Sequence, residues 1–306
     1  MLGPFLETLI GGLLTGVLYA LVALGFVLIF KASGVFNFAQ GSMVLFAALS
    51  VARLSEFMPL VLALALAIVI MIALAYAIEF LVLRHLVNQE GIILFMATLG
   101  IAYFLEGFGQ TIWGSDIYKI RLGLPQNPIF LFESVFPGGL LIDPAELIAA
   151  VICAVMVLVL AVFFQVTRVG RALRAVADDH QAAQSVGIPL NQIWLMVWAV
   201  SGLVALVAGM MWGAKLGVQF SLSLVALKAL PVLILGGFTS IPGAIVGGLI
   251  IGAGEKLAEV MLGPVLIRTF DLAGGGIENW FAYVLALVFL LFRPQGLFGE
   301  RIIERV

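Results

Sequence analysis

The side chains that could do chemistry in this sequence are few, and most sit where water is scarce. Glu79, Glu106, Lys228, Glu255, Lys256 and Glu259 all fall in or beside long apolar runs. A charge at the centre of a membrane helix costs about 2.5–3.5 kcal/mol on insertion scales. Each must therefore face protein, face water or reach the interface along its stem. Glu255 and Glu259 share one helical face beside Lys256, toward the end of a run, which favours snorkelling. Lys228 lies deeper, three residues before Pro231, and is expected to pair with Glu106 or with a backbone carbonyl. A second polar group, Asn37, Gln40 and Ser42 with Gly34 and Gly41 nearby, interrupts an otherwise apolar stretch. Broken helices persist in a bilayer where they line a cavity or are buried in protein, because freed backbone groups need partners. FNFAQGS thus reads either as part of a passage for a polar solute, through Asn37, Gln40, Gly41 and Ser42, or as a turn with an Asn cap.

Enzyme chemistry is poorly supplied. The histidines are His85 and His180 and the lone cysteine is Cys153, with no His-x-x-x-His pair, so no transition-metal site is expected. Neither histidine lies in an apolar run, so Ser42 and Ser201 lack a base within a bilayer. The sequence has no Gly-Lys dipeptide and so no G-x-x-x-x-G-K-[ST] phosphate loop. Any nucleotide hydrolysis must reside on a separate chain. A formal net charge of −2 offers no basic field for nucleic acid. Cys153, inside VICAVMVLVL, can form no disulfide within the chain.

The elements that carry these residues follow from composition. Of 306 residues 63% are hydrophobic and 10% charged, where a soluble domain has roughly a quarter of its residues charged. Apolar runs occur at about 9–30, 40–53, 58–83, 92–113, 145–166, 193–213, 224–238, 241–262 and 277–292. These predict an all-α polytopic membrane protein of eight or nine crossings, some interrupted, since lipid admits helices and closed barrels alone and the alternation of barrel strands is absent. The first run precedes every Lys and Arg, Lys31 being the first, so it reads as a retained span and not a secretory signal. Lys31, Arg84 with His85, Arg168 with Arg171 and Arg174, and the tail with Arg293, Arg301 and Arg305 place four connections on the cytoplasmic side under the positive-inside rule. Arg53, Lys119, Arg121, Lys215 and Arg268 oppose that assignment. The connection at about 114–144, rich in Pro and Phe, is expected outside, as an interfacial hairpin or a docking surface for an external partner. In GAIVGGLIIG, and at Gly12 and Gly16, glycines recur at four-residue spacing, which lets helix backbones approach.

The connection at about 167–192 stands out. TRVGRALRAVADDHQAAQSVGIPLNQIW collects three arginines and two aspartates between apolar spans. Asp178 or Asp179 suits an N-cap, HQAAQSV a helix of about two turns, Gly187 a left-handed C′ residue, and Pro189 a stop. Ala182 and Ala183 leave little bulk, so another protein's surface could approach this short helix closely.

GRALRAVADDHQAAQSVGI, LKALPVLILGGFTSIPGAIVGGLIIG, LFRPQGLFG and YALVALGFVLIFKASGVFNFAQGSMVLF together resemble the permease subunits of bacterial branched-chain amino acid ABC importers, of the LivH type by size. The likeness runs through nearly the whole chain. It implies one transmembrane permease domain over 1–306, with its outer loop at 114–144 and a cytoplasmic tail at 293–306, in the bacterial cytoplasmic (inner) membrane. It implies that 167–192 is the coupling segment, with Arg171, Arg174, Asp178, Asp179, His180, Ala182, Ala183 and Gly187 seated on an ATPase subunit. The implied partners are a second permease, two cytoplasmic ATP-binding-cassette ATPases holding ATP and Mg²⁺, a periplasmic or extracellular solute-binding protein, and lipid. No cofactor is expected on this chain. The implied solute is a branched-chain or related hydrophobic amino acid, carried by ATP-driven alternating access. Urea, amides and organic acids are further solutes of such systems. Composition and spans alone equally fit a stand-alone carrier or channel using Glu106 and Lys228 as coupling charges.

Overall fold

Long apolar runs can satisfy their own backbone groups in lipid only by closing helical hydrogen bonds. The computed structural model, which describes residues 2–34, 36–86, 89–123, 125, 127–131, 139–178, 180–270 and 276–299, is accordingly helical. The order is α1 (Leu2–Ser33), α2 (Gln40–Phe57), α3 (Leu60–Leu81), α4 (Gly91–Trp113), strands β1 (Ile129–Leu131) and β2 (Leu140–Ile142), then α5 (Pro144–Val166), α6 (Arg168–Asp178), α7 (His180–Ser185) and α8 (Leu190–Leu216). It continues with α9 (Val225–Lys228), α10 (Leu230–Gly236), α11 (Ile241–Leu257), α12 (Gly263–Phe270) and α13 (Ile277–Phe292).

Among the described residues five helices are long and apolar enough to cross a membrane: α1, α3 with the turn after it, α4, α5 and α8. A sixth arises if Phe220–Gly236 and Ile241–Phe270, bent by 115° at their junction, form one broken span. The expectation of eight or nine came from counting separately α2, both arms of this bent pair, and α13, which is apolar but only 16 residues long. The connection at 114–144 does contain a hairpin, with Ile129 opposite Ile142 and Leu131 opposite Leu140. Phe132, Phe136, Pro137, Asp179, Arg301 and Arg305 lie outside the described residues.

The described residues group into two compact units. The first gathers 1–23, 123–155 and 228–306, the second 24–122 and 156–227. In the second unit α2 is the centre, buried from Gln40 to Ala52 and packed against α3, α4 and α8. Close packing there depends on missing side chains: a Cβ at Gly209 of α8 would lie 2.5 Å from the Val44 carbonyl. Ala63, Ala67, Met71 and Ala75 form the buried stripe of α3, the four-residue small spacing that brings membrane helices together. In the first unit Gly12 and Gly16 of α1 meet Gly252 and Gly248 of α11 so closely that a Cβ at Gly252 would stand 2.4 Å from the Gly12 carbonyl. The bend between α10 and α11 closes on Gly236 against Gly243, each 2.2 Å from where the other's Cβ would be. Ser240 caps α11, its Oγ accepting from the Gly243 amide at 3.0 Å.

Candidate functional site

The break between α1 and α2 is stitched by short polar side chains. Asn37 Oδ1 accepts from the Ala39 amide at 3.0 Å, the local turn that Asn favours ahead of a helix. Gln40, the first residue of α2, receives the Ser201 hydroxyl of α8 on Oε1 at 2.7 Å and Asn37 Nδ2 at 3.4 Å. Ser201 Oγ also lies 3.2 Å from the Gly25 carbonyl of α1, so one hydroxyl ties together three helices. Gly25 leaves the Gln40 amide its place there, because a Cβ would stand 2.2 Å from Gln40 Nε2 and the side chain would have to shift. That Nε2 has no hydrogen-bond partner among the described residues. Thr98 of α4 fastens the break from the other flank, its Oγ1 accepting from the Phe38 amide and reaching the Phe36 carbonyl, both at 3.3 Å. The rings of Phe26, Phe36, Phe38 and Phe95 follow one another with centroids 4.7 Å apart. Beside them Ile29, Ser33, Leu83, Leu94, Thr98, Trp194 and Trp198 line a narrow cavity with room for about one water.

Asn37 and Gln40 are both 0% exposed. Both are therefore enclosed by protein in this conformation of the chain. Gly41 is equally enclosed, with the Ser223 carbonyl 2.2 Å from its missing Cβ. Ser42, one residue on, donates to Glu106 Oε1 of α4 at 3.0 Å, and Glu106 is half-buried.

The first unit carries a cluster of a different kind. Lys228 Nζ lies 3.2 Å from Glu255 Oε1 and 3.6 Å from Glu278 Oε1. Lys256 Nζ reaches Glu278 Oε2 at 3.2 Å. The Tyr19 hydroxyl donates to Glu255 Oε1 at 3.1 Å, and Glu259 Oε2 accepts from the Glu278 amide at 3.0 Å, in the first turn of α13 where a carboxylate meets free amides. Two expectations are corrected. The carboxylates on Lys228 are Glu255 and Glu278, not Glu106, because the bend after α10 folds α11 back along the chain segment that carries Lys228. Glu255 does not snorkel: at 3% exposure it is enclosed between the lysine and the tyrosine. Glu278 follows a Gly-rich stretch and Tyr19 an apolar one, and nothing in their spacing announces either partner.

In the 167–192 connection the two-turn helix is α7. The larger helix α6 before it was not foreseen. Arg171 and Arg174 of α6 turn back, Arg171 Nη1 donating to the Val166 carbonyl at 3.0 Å and Arg174 Nη1 to the Phe164 carbonyl at 2.6 Å. They thereby satisfy terminal carbonyls of α5, where cations also suit the helix dipole. Leu173 and Val176 are the buried face of α6. Asp178 is the last residue of α6 and His180 the first of α7. Gly187 is left-handed at φ +87°, and the Ile188 amide bonds the Ala183 carbonyl at 3.0 Å, closing α7 with a Schellman-type cap. Ala182 is exposed and Ala183 buried, so only the first of the pair lies open to a partner.

The sequence pattern of the family described as branched-chain amino acid transport system, permease component, matches residues 8–293. The chain is similar to the high-affinity branched-chain amino acid transport system permease protein BraD of Pseudomonas aeruginosa, 29% identical over 99% of this chain and 98% of that protein. It is 28% identical to the corresponding LivH of Escherichia coli, again over 99% and 98% of the two chains. A probable LivH of Methanocaldococcus jannaschii is 28% identical over 94% of this chain and 91% of that one.

Proposed function

We propose the following for a chain that belongs to the family of permease components of branched-chain amino acid transport systems: it is one permease of an ATP-binding-cassette importer in the bacterial inner membrane. It pairs with a second permease, two cytoplasmic ATPases drive it, and an external binding protein delivers a branched-chain or related hydrophobic amino acid. The observation that carries this reading is the family match over 8–293, with like proteins covered end to end.

Alternating access needs a part that receives force and a part that opens. The receiving part is the α6–α7 segment, with Arg171 and Arg174 fixing α6 to the end of α5 and Ala182 on the open surface of α7. Asp178 ends α6 and His180 begins α7, these two and Asp179 being the residues proposed to meet the ATPase, and Gly187 sets the direction in which the chain leaves for α8. The opening part is the start of α2. There Asn37, Gln40 and Gly41 hold the break between helices from within, while Ser42 carries the polar surface outward to Glu106. ATP and Mg²⁺ belong to the partner ATPases in this scheme, and nucleic acid has no part in it.

The test is reconstitution of the chain with its companion permease, ATPases and binding protein in proteoliposomes. ATP-dependent uptake of L-leucine, absent without ATP, is the expected result; uptake by this chain alone would instead identify a stand-alone carrier. Gly187→Val, which forces a β-branched residue to φ +87°, should leave the subunit in the membrane yet uncouple ATP hydrolysis from uptake. Unaltered coupling in that variant would remove α7 from its role.

A further inference from the structure

Glu106 differs from the carboxylates of the Lys228 cluster. Glu255 and Glu278 are paired with lysines, whereas Glu106 has the Ser42 hydroxyl on Oε1 and no cation within ion-pair distance among the described residues. Its second oxygen takes no hydrogen bond from them. Ser42 is 4% exposed, so it holds the carboxylate from the enclosed side and leaves the other side open.

The surroundings on α4 agree. Tyr103, Glu106 and Gln110 stand three and four residues apart and so share a face of the helix. Tyr103 is 70% exposed and Gln110 is exposed as well. Gly107, beside them, has nothing within 4 Å of where its side chain would be. A polar seam of this kind is expensive against hydrocarbon, and a carboxylate anchored by a buried serine has no long stem with which to escape it. The seam therefore faces water, solute or another subunit rather than hydrocarbon, and what an unpaired carboxylate next to an open aromatic ring recognises is a compact cation.

We propose that Glu106, positioned by Ser42 and flanked by Tyr103 and Gln110, is the point in the passage that receives the ammonium group of the transported zwitterion. This rests on the importer reading above and extends it to a chemical class: solutes with a primary ammonium, and not neutral amides, urea or organic acids. The contact is single, so it holds the solute briefly and lets it leave, which conduction requires.

The test uses the complete complex in proteoliposomes with L-leucine as probe, comparing wild type, Glu106→Gln and Glu106→Asp. A charge-assisted hydrogen bond lost without replacement predicts that Glu106→Gln lowers uptake roughly tenfold or more, chiefly through a higher KM for the loaded binding protein's solute. Glu106→Asp, which keeps the charge, should restore most of the loss. Co-purification of the partner permease and ATPases should match wild type in both variants. Leucine uptake by Glu106→Gln at the wild-type rate overturns the inference and leaves the importer reading standing. Loss of co-purification in Glu106→Gln also overturns it, since the carboxylate would then serve contact between subunits. If wild type itself fails to take up any branched-chain amino acid under ATP, the importer reading falls and takes the inference with it.

Discussion

Tyr19, Lys228, Glu255, Lys256 and Glu278 in the first unit, and Asn37, Gln40 and Ser201 in the second, place polar groups inside apolar helices with opposite materials. The first set is ionic and saturated: each charge has a counter-charge, and Glu255 adds a phenol. The second is neutral and underfilled, with Gln40 Nε2 left without a partner. Partner loss is costly for enclosed charges, so an ionic cluster resists rearrangement. Neutral amides and hydroxyls exchange partners at far lower cost, about 1 kcal/mol per bond. The difference predicts that the break before α2 rearranges at lower cost than the segment around Lys228.

Four substitutions can break or sharpen that contrast. Lys228→Ala should have the largest effect on stability. It strands Glu255, and about 3 kcal/mol is expected, the lower end for a broken buried pair because the lysine side chain is itself 34% exposed. Thermal unfolding in detergent measures it; an unchanged melt with abolished uptake would move this cluster from scaffold to passage. Gly25→Ala comes next, since a methyl group must displace the Gln40 amide. About 1–3 kcal/mol of overpacking cost should accompany a loss of uptake out of proportion to the change in melting. Ser201→Ala removes one shared hydroxyl and should cost about 1 kcal/mol, with altered transport rate as the more sensitive readout; equal sensitivity to Lys228→Ala would erase the distinction between the clusters. Arg53→Ala, which breaks a half-exposed pair with Glu56, should shift stability by under about 1 kcal/mol and serves as the baseline for the other three.

What the sequence disclosed and what it withheld divide along physical lines. Features set by neighbouring residues were readable: the apolar runs, the break at FNFAQGS, the left-handed Gly187 and the glycine spacing of α11. The partners of those features were not. Ser201 meets Gln40 across 161 positions and Tyr19 meets Glu255 across 236, distances over which periodicity carries no information. Lys228 looked like a partner for Glu106 because both are charges in apolar runs, and only the bend before α11 shows that Glu255 is nearer. Helix α6 was missed because its arginines read as loop charge, although Gly170, Leu173 and Val176 recur every three residues along its buried face. The open or sealed state of Asn37 and Gln40 depends on the packing of α2 among three other helices, which no local pattern encodes.

The tail bears on how the protein is made. The Leu297 amide donates to the Leu235 carbonyl at 2.8 Å and the Phe298 amide to the Gly236 carbonyl at 3.1 Å, capping the end of α10 just before the bend. These two carbonyls wait for residues synthesised some sixty positions later. During insertion the α10–α11 turn must therefore stay hydrated or be held by the insertion machinery until LFRPQGLFG emerges. A segment synthesised some sixty positions later thus closes this turn, and ribosome-stalled chains ending before Leu297 should expose it to water-borne modification reagents.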